Sequence, residues 1–250
     1  MQSRFDNELF EFLVELQANN NREWFAEHKE RYERHVKQPL LDFIEDFEPY
    51  LHSISKHFVA DARANGGSMF RIYRDVRFSK DKSPYKTQAA VHFRHEAGKS
   101  AHAPGFYLHL APDEVFAGVG LWRPDSAALA GIRQQIVDDP QGWDHAVQAP
   151  GFAEEFELTG DSLKRPPKGF DPDHPNIEDL KRKDHVATVP FSEDEVTTAG
   201  FIESFADACR IASPYTEFLT TAVGLPYWPT GDPLRRESAQ DHARKRTASI

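Results

Sequence analysis

The sequence predicts an α+β fold in which an antiparallel sheet of about four or more strands is packed by N-terminal and C-terminal helices. Three observations carry that expectation. Apolar residues recur at three- and four-residue spacing before residue 50, alternate with a period of two between residues 86 and 122, and return to helical spacing after Asp125. The 250 residues suffice for one large domain or two small ones, and no linker divides the body. The simpler organisation is a single domain over 1–224 followed by a mobile C-terminal tail over 225–250, where Pro226, Pro229, Gly231 and Pro233 stop regular structure.

Phe5, Leu9, Phe12, Leu13 and Leu16 share one helical face, and Asn19-Asn20-Asn21 ends that helix and caps the next. Trp24, Phe25, Tyr32 and Val36 line the second helix. Pro39 then kinks it or starts a new one with the stripe Leu40, Leu41, Ile44 and Phe47. Asn65-Gly66-Gly67-Ser68 reads as a turn. Lys86 to His95, Phe106 to Ala111 and Glu114 to Trp122 read as three strands of a meander, with Pro112-Asp113 as the tight turn between the last two. Asp125 caps a helix through Leu129, Ile132 and Ile136, and shorter helices follow from Pro140 to Phe156, anchored by Trp143, Val147, Phe152 and Phe156. Lys164 to Pro175 is a loop. His185 to Phe191 is a fourth strand, and Ser192 with Glu195 opens a helix running through Val196, Phe201, Phe205 and Ala208. Pro214 starts a final helix ending near Val223.

Composition narrows the function classes. Nineteen Phe, four Trp and seven Tyr imply an aromatic interior. Cys209 is the one cysteine, which excludes an internal disulfide and suits a reducing, cytoplasmic setting. The first residues lack a signal-peptide pattern, and no apolar run reaches membrane-span length. A net charge of −10 disfavours general attraction to nucleic acid or anionic lipid, so only a local patch would override it.

Such a patch exists between Arg71 and Lys86, where six cations meet two acids in sixteen residues. The pattern Arg71-x-x-Arg74-Asp75-x-Arg77-Phe78, followed by Lys82, Pro84 and Tyr85, resembles the signature of domain-of-unknown-function family 2461. The likeness extends over most of residues 5 to 222. It takes in Asn20-Asn21-Arg22-Glu23-Trp24-Phe25, Gly105-Phe106-Tyr107, Gly120-Leu121-Trp122, and Leu163 to Phe170 with His174-Pro175. The resemblance implies kinship and brings no assigned activity.

The residues themselves leave two readings of the patch. In one, Arg71, Arg74 and Arg77 are satisfied internally by Asp75, Asp81 and acids of the first helices such as Glu23 or Glu27. In the other they form an anion cradle with Lys82 and Lys86, because a guanidinium fork matches phosphate or carboxylate and lysines add point charge. The candidate ligand-binding set is therefore Arg71, Arg74, Asp75, Arg77, Lys82, Tyr85 and Lys86, and the expected partner is a small anionic ligand. Gly66, Gly67 and Ser68 would add backbone donors in a nest. Tyr73, Phe78 and Tyr85 are either core or a stacking surface for a base or sugar. Asp75 would orient an arginine rather than act as a base, and Lys82 or Lys86 would be the nucleophile if chemistry occurs.

Other signals are weaker. The cluster Lys164, Arg165, Lys168, Lys181, Arg182 and Lys183 is offset by Asp171, Asp173, Glu178 and Asp179, and reads as a solvated face. His92, His95, His102 and His109 invite a metal, but His92 and His95 point to opposite faces of a strand, so no metal site and no cofactor are expected. An enzyme acting on a phosphate ester or nucleotide, and a nucleic-acid or protein interaction module, remain the alternatives to a small-ligand binder.

Overall fold

The computed structural model describes residues 3–98, 103–112 and 114–227. Helix α1 (Asn7–Ala18) buries Leu9, Phe12, Leu13 and Leu16 at the expected spacing. Asn19 ends it, and the Asn21 side chain accepts the Trp24 amide at 2.9 Å, capping α2 (Arg22–Glu27). Helix α3 (Lys29–Tyr32) passes through a π-helical turn at Glu33–Lys37 into α4 (Gln38–Ile54). Pro39 falls in the first turn of α4, where a missing N–H costs least, and the buried stripe Leu40, Ile44, Phe47 is extended by Phe43, Leu51 and Ile54.

The remaining elements are β1 (Phe58–Val59), β2 (Ala89–His95), β3 (Gly105–Ala111), β4 (Glu114–Leu121), α5 (Ser126–Asp138), α6 (Pro140–Val147), α7 (Phe152–Glu155), β5 (Glu157–Thr159), α8 (Ile177–Leu180), β6 (His185–Phe191), α9 (Glu193–Val196), α10 (Phe201–Ile211) and α11 (Ser213–Ala222). The strands form one antiparallel six-stranded sheet in the order β1-β2-β3-β4-β6-β5. The fold is thus α+β, with N- and C-terminal helices packed against an antiparallel sheet. Two and three residues are too few to alternate, which is why β1 and β5 leave no period-two signal. Because β1 precedes it, the cationic segment leads into the second strand, β2, although Lys86 to His95 reads from the sequence as the first strand of the meander. Asp113, half of the expected Pro112-Asp113 turn, and His102 lie outside the described residues.

The expected helix from Ser192 to Ala208 is interrupted. The Ser192–Glu195 capping box forms, but the hydroxyls of Thr197 and Thr198 donate to the carbonyls of Asp194 and Glu195, and the chain leaves the helix before Gly200. A second difference concerns residues 225–227, assigned above to the tail. Tyr227 is 1% exposed, its ring meets Phe58 edge-on at 5.9 Å, and its carbonyl accepts the Ser55 hydroxyl. Residues 228–250 of the expected tail lie outside the described residues.

One hydrophobic cluster joins these elements. Val91 and Phe93 of β2 share a sheet face with Phe106 and Leu108 of β3 and Ala117 and Val119 of β4, and all are buried. Phe47 of α4 packs on Phe93 at 4.7 Å and on Phe205 of α10 at 4.9 Å, so both ends of the chain close over the same face. The opposite face carries His92, Arg94, Tyr107, His109 and Phe116.

His185 is fully buried on the core side, edge-on to Trp143 at 5.9 Å, and neither ring nitrogen has a partner among the described residues. Burial, reinforced by Arg182 and Arg133, lowers its pKa to about 3. Below pH ~6.5 the unfolded chain takes up a proton that the folded one excludes, so stability falls as pH drops. A loss of about 2 kcal/mol from this residue alone is expected between pH 7 and pH 5. Urea denaturation at both pH values checks it, with His185→Leu expected to show a smaller pH difference.

A polar pocket beside the cationic turn

Backbone bonds from the Arg74 amide to the Pro84 carbonyl (2.9 Å) and from the Lys86 amide to the Ile72 carbonyl (2.7 Å), with a Tyr73–Tyr85 bridge, fold the cationic segment into an irregular hairpin between β1 and β2. It is neither a helical turn nor a plain strand, so the arginines do not stack on one face. Tyr85 anchors the hairpin: its ring stacks on Phe25 at 4.1 Å, and it is buried. The Asn20 side-chain amide pairs with the Tyr85 backbone as a strand would, accepting its N–H at 3.1 Å and donating to its carbonyl at 3.0 Å. The asparagine turn after α1 therefore holds the base of the hairpin in place.

Between that turn and the hairpin lies a cavity of about 430 Å³, lined by Gln17, Asn20, Arg74, Asp81, Ser83, Tyr85, Lys86, Thr87 and Gln88. Arg74 is held at its wall by Asp81 and by the Ser83 carbonyl at 3.2 Å. Asp81 also accepts the amide (2.9 Å) and hydroxyl (2.6 Å) of Ser83. These bonds, then Arg74, hold its carboxyl far below the usual carboxylate range, so it is a poor base. Lys86 is different. It is half-buried, and among the described residues its ammonium meets no carboxylate; it lies 5.1 Å from the Phe70 ring centroid. Burial, then the nearby Arg71, lowers its pKa.

The structure thus brings Arg74, Tyr85 and Lys86 to one cavity and places the other candidates elsewhere. Arg77 is clamped by both carboxylate oxygens of Asp75 at the hairpin tip, where both are exposed, and Lys82 donates to the Val76 carbonyl at 3.0 Å. Arg71 is exposed and has no ion pair among the described residues. The internal pairing is local and exposed rather than a buried network: Asp81 and Asp75 each take one arginine, and neither Glu23 nor Glu27 takes part. Phe78 is 96% exposed at the tip, and Tyr73 is exposed against Tyr85. Of the backbone donors expected at Gly66-Gly67-Ser68, the Ser68 amide is spent on its own loop, donating to the Asp61 carbonyl, and the Ser68 hydroxyl accepts the Asp61 amide. Gln17 and Gln88 carry no motif and were not legible as wall residues. Lys181 and Arg182 of the second basic cluster pair with Glu178 and Asp179.

Among the described residues no cluster of histidine, cysteine and acidic side chains forms a metal centre, and no helix is long and apolar enough to cross a membrane. His95 faces the core and bonds the Pro226 carbonyl at 2.8 Å, while His92 faces the other side, as the strand period requires.

Fold and cavity define a two-layer α+β protein with a polar pocket at one sheet edge. The chain belongs to the family of conserved hypothetical proteins DUF2461, whose model matches residues 8–218. No curated protein matches it.

Proposed function

We propose that the pocket binds a small phosphorylated or carboxylated ligand through Lys86 and Arg74. The observation that supports this reading is the Lys86 ammonium, half-buried on the wall of a cavity of about 430 Å³ without a carboxylate partner. A partly desolvated cation gains more from an anion than an exposed one does. Arg71 adds positive field at Lys86, and Arg74 is already oriented by Asp81.

Calorimetric titration with inorganic phosphate and with citrate tests it. Saturable binding of at least one is expected, weakened about 10-fold or more by Lys86→Gln, with the melting temperature shifted by only a few degrees. Arg77→Gln, at the hairpin tip, is expected to leave the affinity unchanged. Absence of saturable binding, or indifference to Lys86→Gln, overturns the proposal.

A further inference from the structure

A row of rings leads away from the pocket across the sheet face turned from α4 and α10. Phe70, whose amide donates to the Ala90 carbonyl at 3.0 Å, flanks β2; His92 stands opposite Tyr107, and His109 opposite Phe116. The Phe70 and His92 rings lie within 5° of parallel at 6.3 Å, and Tyr107 meets each edge-on at 6.0 and 6.3 Å. His109 and Phe116 stack at 4.7 Å, continuing the row onto β4. Glycine makes room for it: a Cβ on Gly105 would fall 2.2 Å from His92 Nε2, so the imidazole occupies the space that a side chain would take.

Charge is gathered at one end of this row. Lys86 Nζ lies 5.1 Å and Arg94 Cζ 5.7 Å from the Phe70 centroid, and Arg71 follows Phe70 in the chain. Among the described residues none of these three cations forms an ion pair; Arg71 acts on Asp75 only through its field, lowering that carboxyl's pKa after the closer Arg77 bonds. Arg94 Nε donates to His92 Nδ1 at 3.1 Å, which fixes that nitrogen as an acceptor; burial, then Arg94, lowers the His92 pKa to about 4, so the ring is a neutral flat surface near pH 7. The row is open at this end, with Phe70 36% exposed. Lys86 belongs to both places: it lines the cavity and its head covers Phe70.

We propose that pocket and ring row are two halves of one site, which takes a single nucleoside phosphate with its phosphate at Lys86 and Arg74 and its base against Phe70 and His92. The inference rests on the anion-binding reading of the pocket and names the ligand class. A planar π system joined to an anion is the chemistry that matches rings flanked by unneutralised cations. A net charge of −10 works against a long polyanion and favours one nucleotide over a strand.

The test compares ribose 5-phosphate, adenosine monophosphate and a short single-stranded oligonucleotide by calorimetry. Adenosine monophosphate is expected to bind about 5- to 150-fold more tightly than ribose 5-phosphate. Phe70→Ala, at an exposed position, should erase that difference, bringing the two affinities together, and Phe70→Tyr should preserve it. Equal affinities for the two phosphates overturn the ring half and leave the anion pocket standing. Failure of both to bind overturns the anion pocket, and the proposal with it. A strand that binds more tightly than the mononucleotide overturns the single-nucleotide assignment.

Discussion

Phe47→Ala is expected to destabilise the protein by about 3–5 kcal/mol, a large share of the ~5–15 kcal/mol that holds a domain of this kind together. The ring is fully buried and touches Phe43 and Tyr50 within α4, Phe93 on β2 and Phe205 on α10. Its removal opens a cavity where three elements distant in sequence converge, and rigid strand neighbours limit collapse into it. Urea denaturation measures the loss. Phe47→Leu should recover part of it, because the transfer free energy is largely restored. A change below about 1 kcal/mol for the alanine variant would mean that N- and C-terminal helices do not share this face of the sheet.

Asn20→Ala is expected to cost about 2 kcal/mol and to weaken phosphate binding as well. Two hydrogen bonds to the Tyr85 backbone disappear together, leaving an N–H and a carbonyl without partners in a partly buried setting. The cost is thus at least the net value of two ordinary hydrogen bonds, about 1 kcal/mol each. Since Tyr85 is adjacent to Lys86, loosening the base of the hairpin also moves the cation that faces the cavity. Denaturation and calorimetry on the same variant check both effects. Asn20→Asp should restore only the bond accepted from the Tyr85 amide, and so about half of the stability. Unchanged stability in Asn20→Ala would show that Phe25 stacking and the hairpin's own backbone bonds hold it without Asn20.

Much of the fold was legible because helix stripes and strand alternation are local patterns. Leu9, Phe12, Leu13 and Leu16 face inward for the same reason that Val91 and Phe93 do: burial of one face selects the periodicity of the element. What escaped lacks a period. β1 and β5 are two and three residues long, and Thr197 and Thr198 end α9 by side-chain bonds that no apolar pattern records. The pocket was legible only in part. Arg74, Tyr85 and Lys86 stood out by charge and motif, but the pairing of Arg74 with Asp81 and of Arg77 with Asp75 depends on how a loop of irregular backbone turns. The bond between Asn20 and Tyr85 spans 65 residues, and nothing in either segment announces the other. Phe70 and Tyr107 passed as ordinary aromatic residues because the face they occupy follows from strand register, which residue type does not set.

The buried Tyr227 carries a practical lesson for anyone trimming this chain. Its hydroxyl lies 2.7 Å from the Ser213 hydroxyl, and its neighbour Pro226 receives the His95 imidazole, so this short stretch works as a latch across the start of α11 and the end of β2. A version shortened after Gly224, where composition alone invites the cut, would strip the cover from Phe58 and leave Ser55 and His95 bonding to water.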